Sequence, residues 1–325
     1  MEQLTTFATI FLGIFIEAAP FLLLGSLASG LVEVFISKDD MARVVPRNLI
    51  GATIVGGLMG FVFPVCECGV VPLVRRLFNK GIPISMGVAF LLAAPIINPV
   101  ALASTYAAYG FGDMLMLRFS MGLLVATSIG LLFSLNPRPL SILRPGSVPA
   151  FAGASPQASQ KTQKAQKTHH KAHTPPKHIE NLVQVKQPIH QRLQMALRFA
   201  SDDFFDMGKY LVIGSMLAAG MQTVVSQSTL TDLGSGPVSS VLTMQLLAFV
   251  LSVCSTVDAF ISLAFRNTFT TGSILSFLVF GPMVDIKSTM MFLNVFNRKI
   301  VLYLILLPFL MTLLIGIFIN LNVGI

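Results

Sequence analysis

Tryptophan is missing from this chain of 325 residues, tyrosine occurs four times and cysteine three times. Three cysteines, two of them one residue apart, cannot make the disulfide framework of a small secreted domain. Charge is scarce too. Asp, Glu, Lys and Arg make up 11% of the residues against 54% hydrophobic ones, whereas an ordinary soluble domain carries about a quarter charged residues. That balance excludes a soluble globule. The opening MEQLTT holds no Lys or Arg, so it lacks the basic n-region of a cleaved signal peptide, and the first hydrophobic segment is expected to stay in the mature protein. No stretch reads GxxxxGK[ST], so any coupling energy has to come from an ion gradient or from an ATPase on another chain. With no Trp, interfacial anchoring falls mostly to Phe, a weak belt.

What is present is a series of apolar runs close to the ~20 residues needed to cross a bilayer, recurring everywhere but in the middle of the chain. Residues 136–198 hold ten of the 22 basic residues, a single acid, Glu180, and all five histidines, His169, His170, His173, His178 and His190. The stretch ASPQASQKTQKAQKTHHKAHTPPKH has no apolar period and too little hydrophobic surface to offset its ordering entropy, so a disordered tether is expected. Such a basic segment between membrane halves is expected on the cytoplasmic face. The chain therefore divides into a first membrane half (1–135), a basic, His-rich linker (136–198) and a second membrane half (199–325).

The two halves carry related motifs. Around Val65 the chain reads VCECGVVPLVRRLFNKG and then FLLAAPIINP; around Val253 it reads VCSTVDAFISLAFRNTF and then FLVFGPMVD. Cys66 matches Cys254, Phe90 matches Phe277, Pro95 matches Pro282 and Asn98 matches Asp285. A weaker match sets Glu17 and Gly25-Ser26 against Asp206 and Gly214-Ser215. Corresponding proline- and glycine-interrupted hydrophobic segments in two halves are the sequence sign of a transporter's central site. The fold class expected is all-α: a polytopic membrane helical bundle of two pseudo-symmetric halves, about four spans each, with broken helices at the centre. Working outward from a cytoplasmic linker puts Arg75, Arg76, Lys80 and Arg266 inside, with Lys38, Arg43, Arg47, Arg298 and Lys299 outside. With four spans in each half the repeat runs parallel; a re-entrant pair after Cys66 would make it inverted.

Two local features need a reading of their own. Leu4 to Ile36 would be roughly 50 Å long as one helix, against a bilayer core of ~30 Å. Either residues 4–16 form an interfacial helix and the span starts near Ala18, or one tilted helix covers the whole stretch. Gly56 and Gly60 form a GxxxG that is expected to let another helix approach closely.

The chemistry concentrates where the spans break. FPVCECGVVP, from Phe63 to Pro72, combines prolines, a glycine and a carboxylate at membrane depth or its edge. Backbone freed by proline survives there only when buried in protein or lining a wet cavity. The same holds for Pro95 and Asn98, and for Pro282 and Asp285, so these four residues are expected to face one polar pocket near the midplane. Cys66 and Cys68 form a CxC pair whose soft thiolates suit copper(I), zinc or trivalent metalloids. Two cysteines are too few for a structural zinc site, and Cys254 supplies a third sulfur only when the halves meet; taken alone it reads as a small buried apolar residue. Glu17, Glu67, Asp258 and Asp285 are the acids within or beside apolar runs, and such groups mark ion or proton paths. Arg118, a few residues into its span, is expected to snorkel to the interface. The expected substrate-binding set is Cys66, Glu67, Cys68, Pro95, Asn98, Cys254, Asp258, Pro282 and Asp285, with Cys66 and Cys68 as possible metal ligands and no catalytic residue.

These residues carry a resemblance. The segment from Pro64 to Pro72, the Lys80-Gly-Ile-Pro83 step and the helix from Ala89 to Pro99 resemble the signature of the predicted-permease family of bacterial membrane proteins that includes the ArsP organoarsenical efflux permeases. The match is specific over about forty residues. It implies a polytopic inner-membrane permease and, for one branch, export of trivalent organic arsenicals, which thiols suit. Glu67 departs from the family pattern, which has a small residue, usually serine, between the cysteines; a carboxylate there favours a cation or a proton-coupled step. The function expected is a secondary transporter of a small solute or of a soft metal or metalloid species, acting in efflux across the bacterial plasma membrane. Its partners are the bilayer and its solute, with no cofactor, no enzymatic activity and no nucleic acid. Two other readings are a non-transporting scaffold docked through the basic linker and a CxC thiol-dependent membrane redox protein.

Overall fold

The computed structural model describes residues 2–37, 40–41, 43, 45–46, 48–63, 65–135, 188–224 and 236–322. The described residues are helical, with no strand among them. The proposed tether between 136 and 187 lies outside them, as do Pro64, Lys38 and Arg47. In chain order the helices are α1 (Glu2–Phe35), α2 (Leu49–Val62), α3 (Glu67–Asn79), α4 (Ile84–Ile97), α5 (Pro99–Tyr109) and α6 (Asp113–Ser134), followed by α7 (Ile189–Val224), α8 (Pro237–Leu251), α9 (Asp258–Leu263), α10 (Thr271–Met283), α11 (Ile286–Val295) and α12 (Arg298–Asn322). Residues 189–198, grouped by composition with the linker, are the first turns of α7.

Leu4 to Ile36 resolves as the second of its two readings. α1 is one continuous helix of 34 residues that passes through Pro20. It pairs antiparallel with α7, 36 residues long, along nearly its whole length. At one end the Arg192 guanidinium donates to the Val34 carbonyl at 3.0 Å; at the other, the ring of Phe7 comes up to Gly220. Much of α1's apolar surface is exposed, Leu12, Ile16, Leu23 and Leu27 among it. That is what a lipid-facing helix shows, since lipid is as apolar as leucine.

The centre is made by α4 and α10, which are apolar and buried on all sides. A helix hydrophobic all round belongs in a core or a membrane interior. α2 lies directly on α4: a Cβ on Gly56 would collide with the Met86 backbone, and one on Gly60 would sit 2.6 Å from the Ala94 Cα. The GxxxG therefore serves close packing.

Contacts along the chain fix the direction of every element. Lys80, after α3, donates to the Glu33 carbonyl near the end of α1 at 2.7 Å. α2 runs parallel to α4 from this Lys80 end towards the middle, and α3 returns to it. Gly81, at φ +92°, turns the chain into α4, and α5 carries on to the opposite end. There the Tyr109 hydroxyl meets the Ser262 hydroxyl at 2.7 Å, and the Arg266 guanidinium lies over the Tyr109 ring at 5.9 Å. α8 and α9 enter the middle from this Tyr109 end and return to it. α11 runs the other way: Asn294 reaches Asp206 at 3.2 Å, and the Phe296 and Phe78 rings meet at 6.3 Å.

Two sequence expectations change as a result. α2 and α8 are 14 and 15 residues long, so each is short of the ~30 Å bilayer core. Among the described residues, five helical stretches are long and apolar enough to cross: Gln3–Phe35, Ile84–Tyr109, Asp113–Ser134, Thr271–Val295 and Arg298–Asn322. In addition, α12 begins three residues after Val295, so Arg298 and Lys299 sit at the Lys80 end, from which the linker also leaves, and Arg266 sits at the opposite end. Counting α2 and α8 as complete spans had inverted those assignments.

Candidate functional site

At the middle of the bundle the chain leaves helix in both halves, and polar atoms gather where it does. α5 starts with Pro99 at its first position, where a missing N–H costs nothing. Asn98 caps it, its side-chain oxygen accepting from the Ala101 N–H at 2.7 Å while its amide donates to the Pro95 carbonyl at 3.4 Å. Asp285 caps α11 in the same manner, accepting from the Ser288 N–H at 2.6 Å. Pro95 and Pro282 lie in the last turns of α4 and α10, and the helix continues through both; the non-helical residues are Asn98, and Val284 with Asp285.

The residue that organises this region is Lys287. Its ammonium lies 3.0 Å from Glu67 Oε1 and 3.3 Å from Asp285 Oδ2, and it donates to the Ser252 carbonyl at 2.7 Å. All three charged side chains are 2% exposed or less. Buried charges of this kind persist only when paired. Glu17, on α1, is within electrostatic range of the same ammonium. Ser252 ends α8 in a left-handed conformation, φ 48°, which is uncommon for a residue with a Cβ. Its hydroxyl accepts from the Ile286 N–H at 3.2 Å, so the strained residue is tied to α11 through both its carbonyl and its side chain.

Cys66 and Cys254 meet here. A Cys66 sulfur, a Cys254 sulfur and a Glu67 carboxylate oxygen all lie within 4.8 Å of one another, and the three residues are buried. The Cys66 thiol interacts electrostatically with both Cys254 and Cys68. Cys254, expected to be an apolar filler when taken alone, thus sits beside the CxC pair. Glu67 Oε2 has no hydrogen-bond partner, and neither do the buried hydroxyls of Ser26, Ser215 and Ser255. Such groups are rare in a finished core and mark places where water or a solute completes the bonding.

Asp258 is one helical turn from Cys254, its N–H donating to the Cys254 carbonyl at 3.1 Å. Its carboxylate, however, belongs to a separate pair. Arg118 reaches it with both guanidinium ends, at 2.7 and 3.1 Å, and also donates to the Thr105 hydroxyl at 2.7 Å. Arg118 is fully buried. The expected snorkelling to the interface is therefore wrong, because a buried carboxylate on α9 supplies a bidentate partner that water would otherwise have provided. At the Tyr109 end a cavity of about 370 Å³ is lined by Tyr109, Asp113, Leu117, Arg266 and Thr271, among others.

At the opposite end the polar contacts are dense. Arg76 forks onto Asp203 at 3.1 and 3.0 Å, Arg75 reaches Asp206 at 3.0 Å, and Ser29 donates to Asp203 at 2.7 Å. Lys80 lies 3.6 Å from Glu33. Through these contacts α3 is fastened to α1 and α7.

Sequence reasoning overlooked Lys287 and misplaced Arg118. The signal for Lys287 was present: a lysine two residues after Asp285 in an otherwise apolar stretch, the class of residue that marks a site inside a membrane.

The model of the family described as predicted permease matches residues 3–321. Over 298 residues, covering 91% of both chains, the sequence is 42% identical to the UPF0718 protein YcgR of Bacillus subtilis (strain 168). Over 294 residues, 90% of this chain and 88% of the other, it is 38% identical to a protein of Streptococcus mutans serotype c (strain ATCC 700610 / UA159) named as a two-component membrane permease complex subunit. No solved structure matches. With the family model covering nearly the whole sequence and the apolar helices to span a bilayer, this chain belongs to the predicted permease family and is a multi-pass membrane protein.

Proposed function

We propose that the chain is a secondary transporter that moves a small solute, or a soft metal or metalloid species, outward across the bacterial plasma membrane by alternating access. The observation that carries this is the meeting of two short helical hairpins, α2–α3 and α8–α9, which enter from opposite ends and bring Cys66 and Cys254 together. Halves whose equivalent elements run in opposite directions are the inverted repeats of many transporters, with the site at the junction. The solute site in this reading is formed by Cys66, Glu67, Cys254 and Asp285, with Lys287 as its fixed cation, and Asn98 and Asp285 mark two broken helices beside it. The dense ion pairs between α3 and α7 favour a closed Lys80 end, and the cavity near Tyr109 an open opposite end. Lys80, Arg192, Arg298 and Lys299 gather at one end, which supports a cytoplasmic Lys80 end and linker. A relative named as a complex subunit supports a second subunit as partner.

The test is flux. Everted membrane vesicles containing the chain are expected to accumulate at least one of zinc, cadmium or a trivalent arsenical when an ion gradient is applied. Asp285→Asn is expected to lose at least tenfold of that flux at unchanged membrane abundance, since Asn keeps the cap on Ser288 and leaves Lys287 paired with Glu67 while removing the charge. Gradient-independent behaviour for all three solutes would remove the transporter reading in favour of a scaffold.

A further inference from the structure

The donor atoms at the junction define a narrower class of cargo than permeation alone requires. Two sulfurs and one carboxylate oxygen converge within 4.8 Å, on three residues that are at most 3% exposed, and Glu67 Oε2 is buried without a hydrogen-bond partner. We propose that Cys66, Cys254 and Glu67 form a three-coordinate cradle for a borderline divalent cation of the zinc and cadmium class, which is then the transported species; this rests on the transporter reading above.

Ligand chemistry narrows the choice. Magnesium and calcium take oxygen donors, six or more of them, and two thiols exclude both. Copper(I) is satisfied by sulfur alone and gains little from a carboxylate, whereas zinc binds Cys sulfur and Glu oxygen at comparable distances. Closed structural zinc sites use four protein ligands; three leave a fourth position for water or an exchanging ligand. A cargo site has to release its ion, and an incomplete shell suits that.

The acids around the cradle favour a cation. The Lys287 ammonium lies 3.0 Å from Glu67 and 3.3 Å from Asp285, so one positive charge is shared between two buried carboxylates and a bound cation offsets the remainder, with the two thiol protons released as it binds. Lys287 also lies against Glu67 from the side of α11, so it neutralises the carboxylate when no ion is bound.

Cadmium binding to the purified full-length protein in detergent tests this by calorimetry and by the ultraviolet thiolate-to-cadmium charge-transfer absorption. One cadmium per chain is expected, with charge-transfer intensity for two sulfurs. Cys66→Ser and Cys254→Ser should each weaken binding at least tenfold and halve the absorption. Glu67→Gln should weaken binding about tenfold and keep the absorption; the pair Glu67→Gln with Lys287→Met repeats the measurement without an unpaired ammonium. Cys68→Ser should leave binding unchanged. No cadmium bound by the parent protein, binding unaffected by Cys66→Ser or Cys254→Ser, or binding lost on Cys68→Ser but indifferent to Glu67→Gln would each overturn the assignment; the last is the pattern of an all-sulfur site for a trivalent arsenical. Because binding is read on the isolated chain, a failed transporter reading appears as intact binding without vesicle flux.

Discussion

The two hairpins that meet at the centre are held by charges of opposite sign. α3, 13 residues long, carries Arg75 and Arg76 and is held by acids on α1 and α7. α9, six residues long, carries Asp258 and is held by a single arginine on α6. The first has several charged partners around it; the second has one bidentate ion pair and the hydroxyl contact between Tyr109 and Ser262. A re-entrant element cannot leave its backbone or its charges facing lipid, and each hairpin meets that demand with ion pairs to the long helices outside it. The first hairpin is held by more ion pairs than the second.

That asymmetry gives an order of mutational effects. Arg118→Ala is expected to cost about 3–5 kcal/mol, since it strands the buried Asp258 carboxylate without a substitute. Thermal unfolding of the protein in detergent should show it, and Arg118→Leu with Asp258→Leu together should recover most of the loss. Asp203→Ala is expected to cost less, about 1–3 kcal/mol, because Arg76 keeps Glu33 at 3.9 Å when Asp203 is gone. An equal or larger loss than for Arg118→Ala would reverse the comparison. Lys209→Ala should be nearly silent, within about 0.5 kcal/mol: its ion pair with Asp206 is three residues along the same helix and its side chain is largely exposed. If it instead destabilises as strongly as Asp203→Ala, the Lys80 end depends on surface charge rather than on the buried fork.

Much of the site was legible because membranes make ionisable and proline-interrupted residues conspicuous. Cys66, Glu67 and Asp285 stood out against apolar surroundings; the structure sets Glu67 and Asp285 on one ammonium and Cys66 beside Glu67 and Cys254, the last of which read as an apolar filler when taken alone. Asn98 and Asp285 were picked out as equivalent, and each caps the helix that follows it. Arg118 was misjudged because a sequence does not show whether a carboxylate waits opposite; only the turn after Cys254 puts Asp258 there. Arg75 and Arg76 read as a cytoplasmic flank, and tertiary packing turned them into buried partners of Asp203 and Asp206.

The sequence alone determined the class of protein. With 11% charged residues and recurrent apolar runs near the ~20 residues of a spanning helix, the chain reads as a helical membrane bundle, whose backbone is bonded internally as lipid demands. It also determined which residues are chemically unusual. Direction was decided by the tertiary structure: α2 and α8 are too short to cross, so the hairpins return to the end they entered from and later basic residues change sides. Hydrophobicity reports how long an apolar segment is, but not whether the chain crosses the membrane or turns back within it. That depends on which neighbours complete its backbone and charge, and those neighbours lie more than a hundred residues away, at Asp203 for Arg76 and at Asp258 for Arg118.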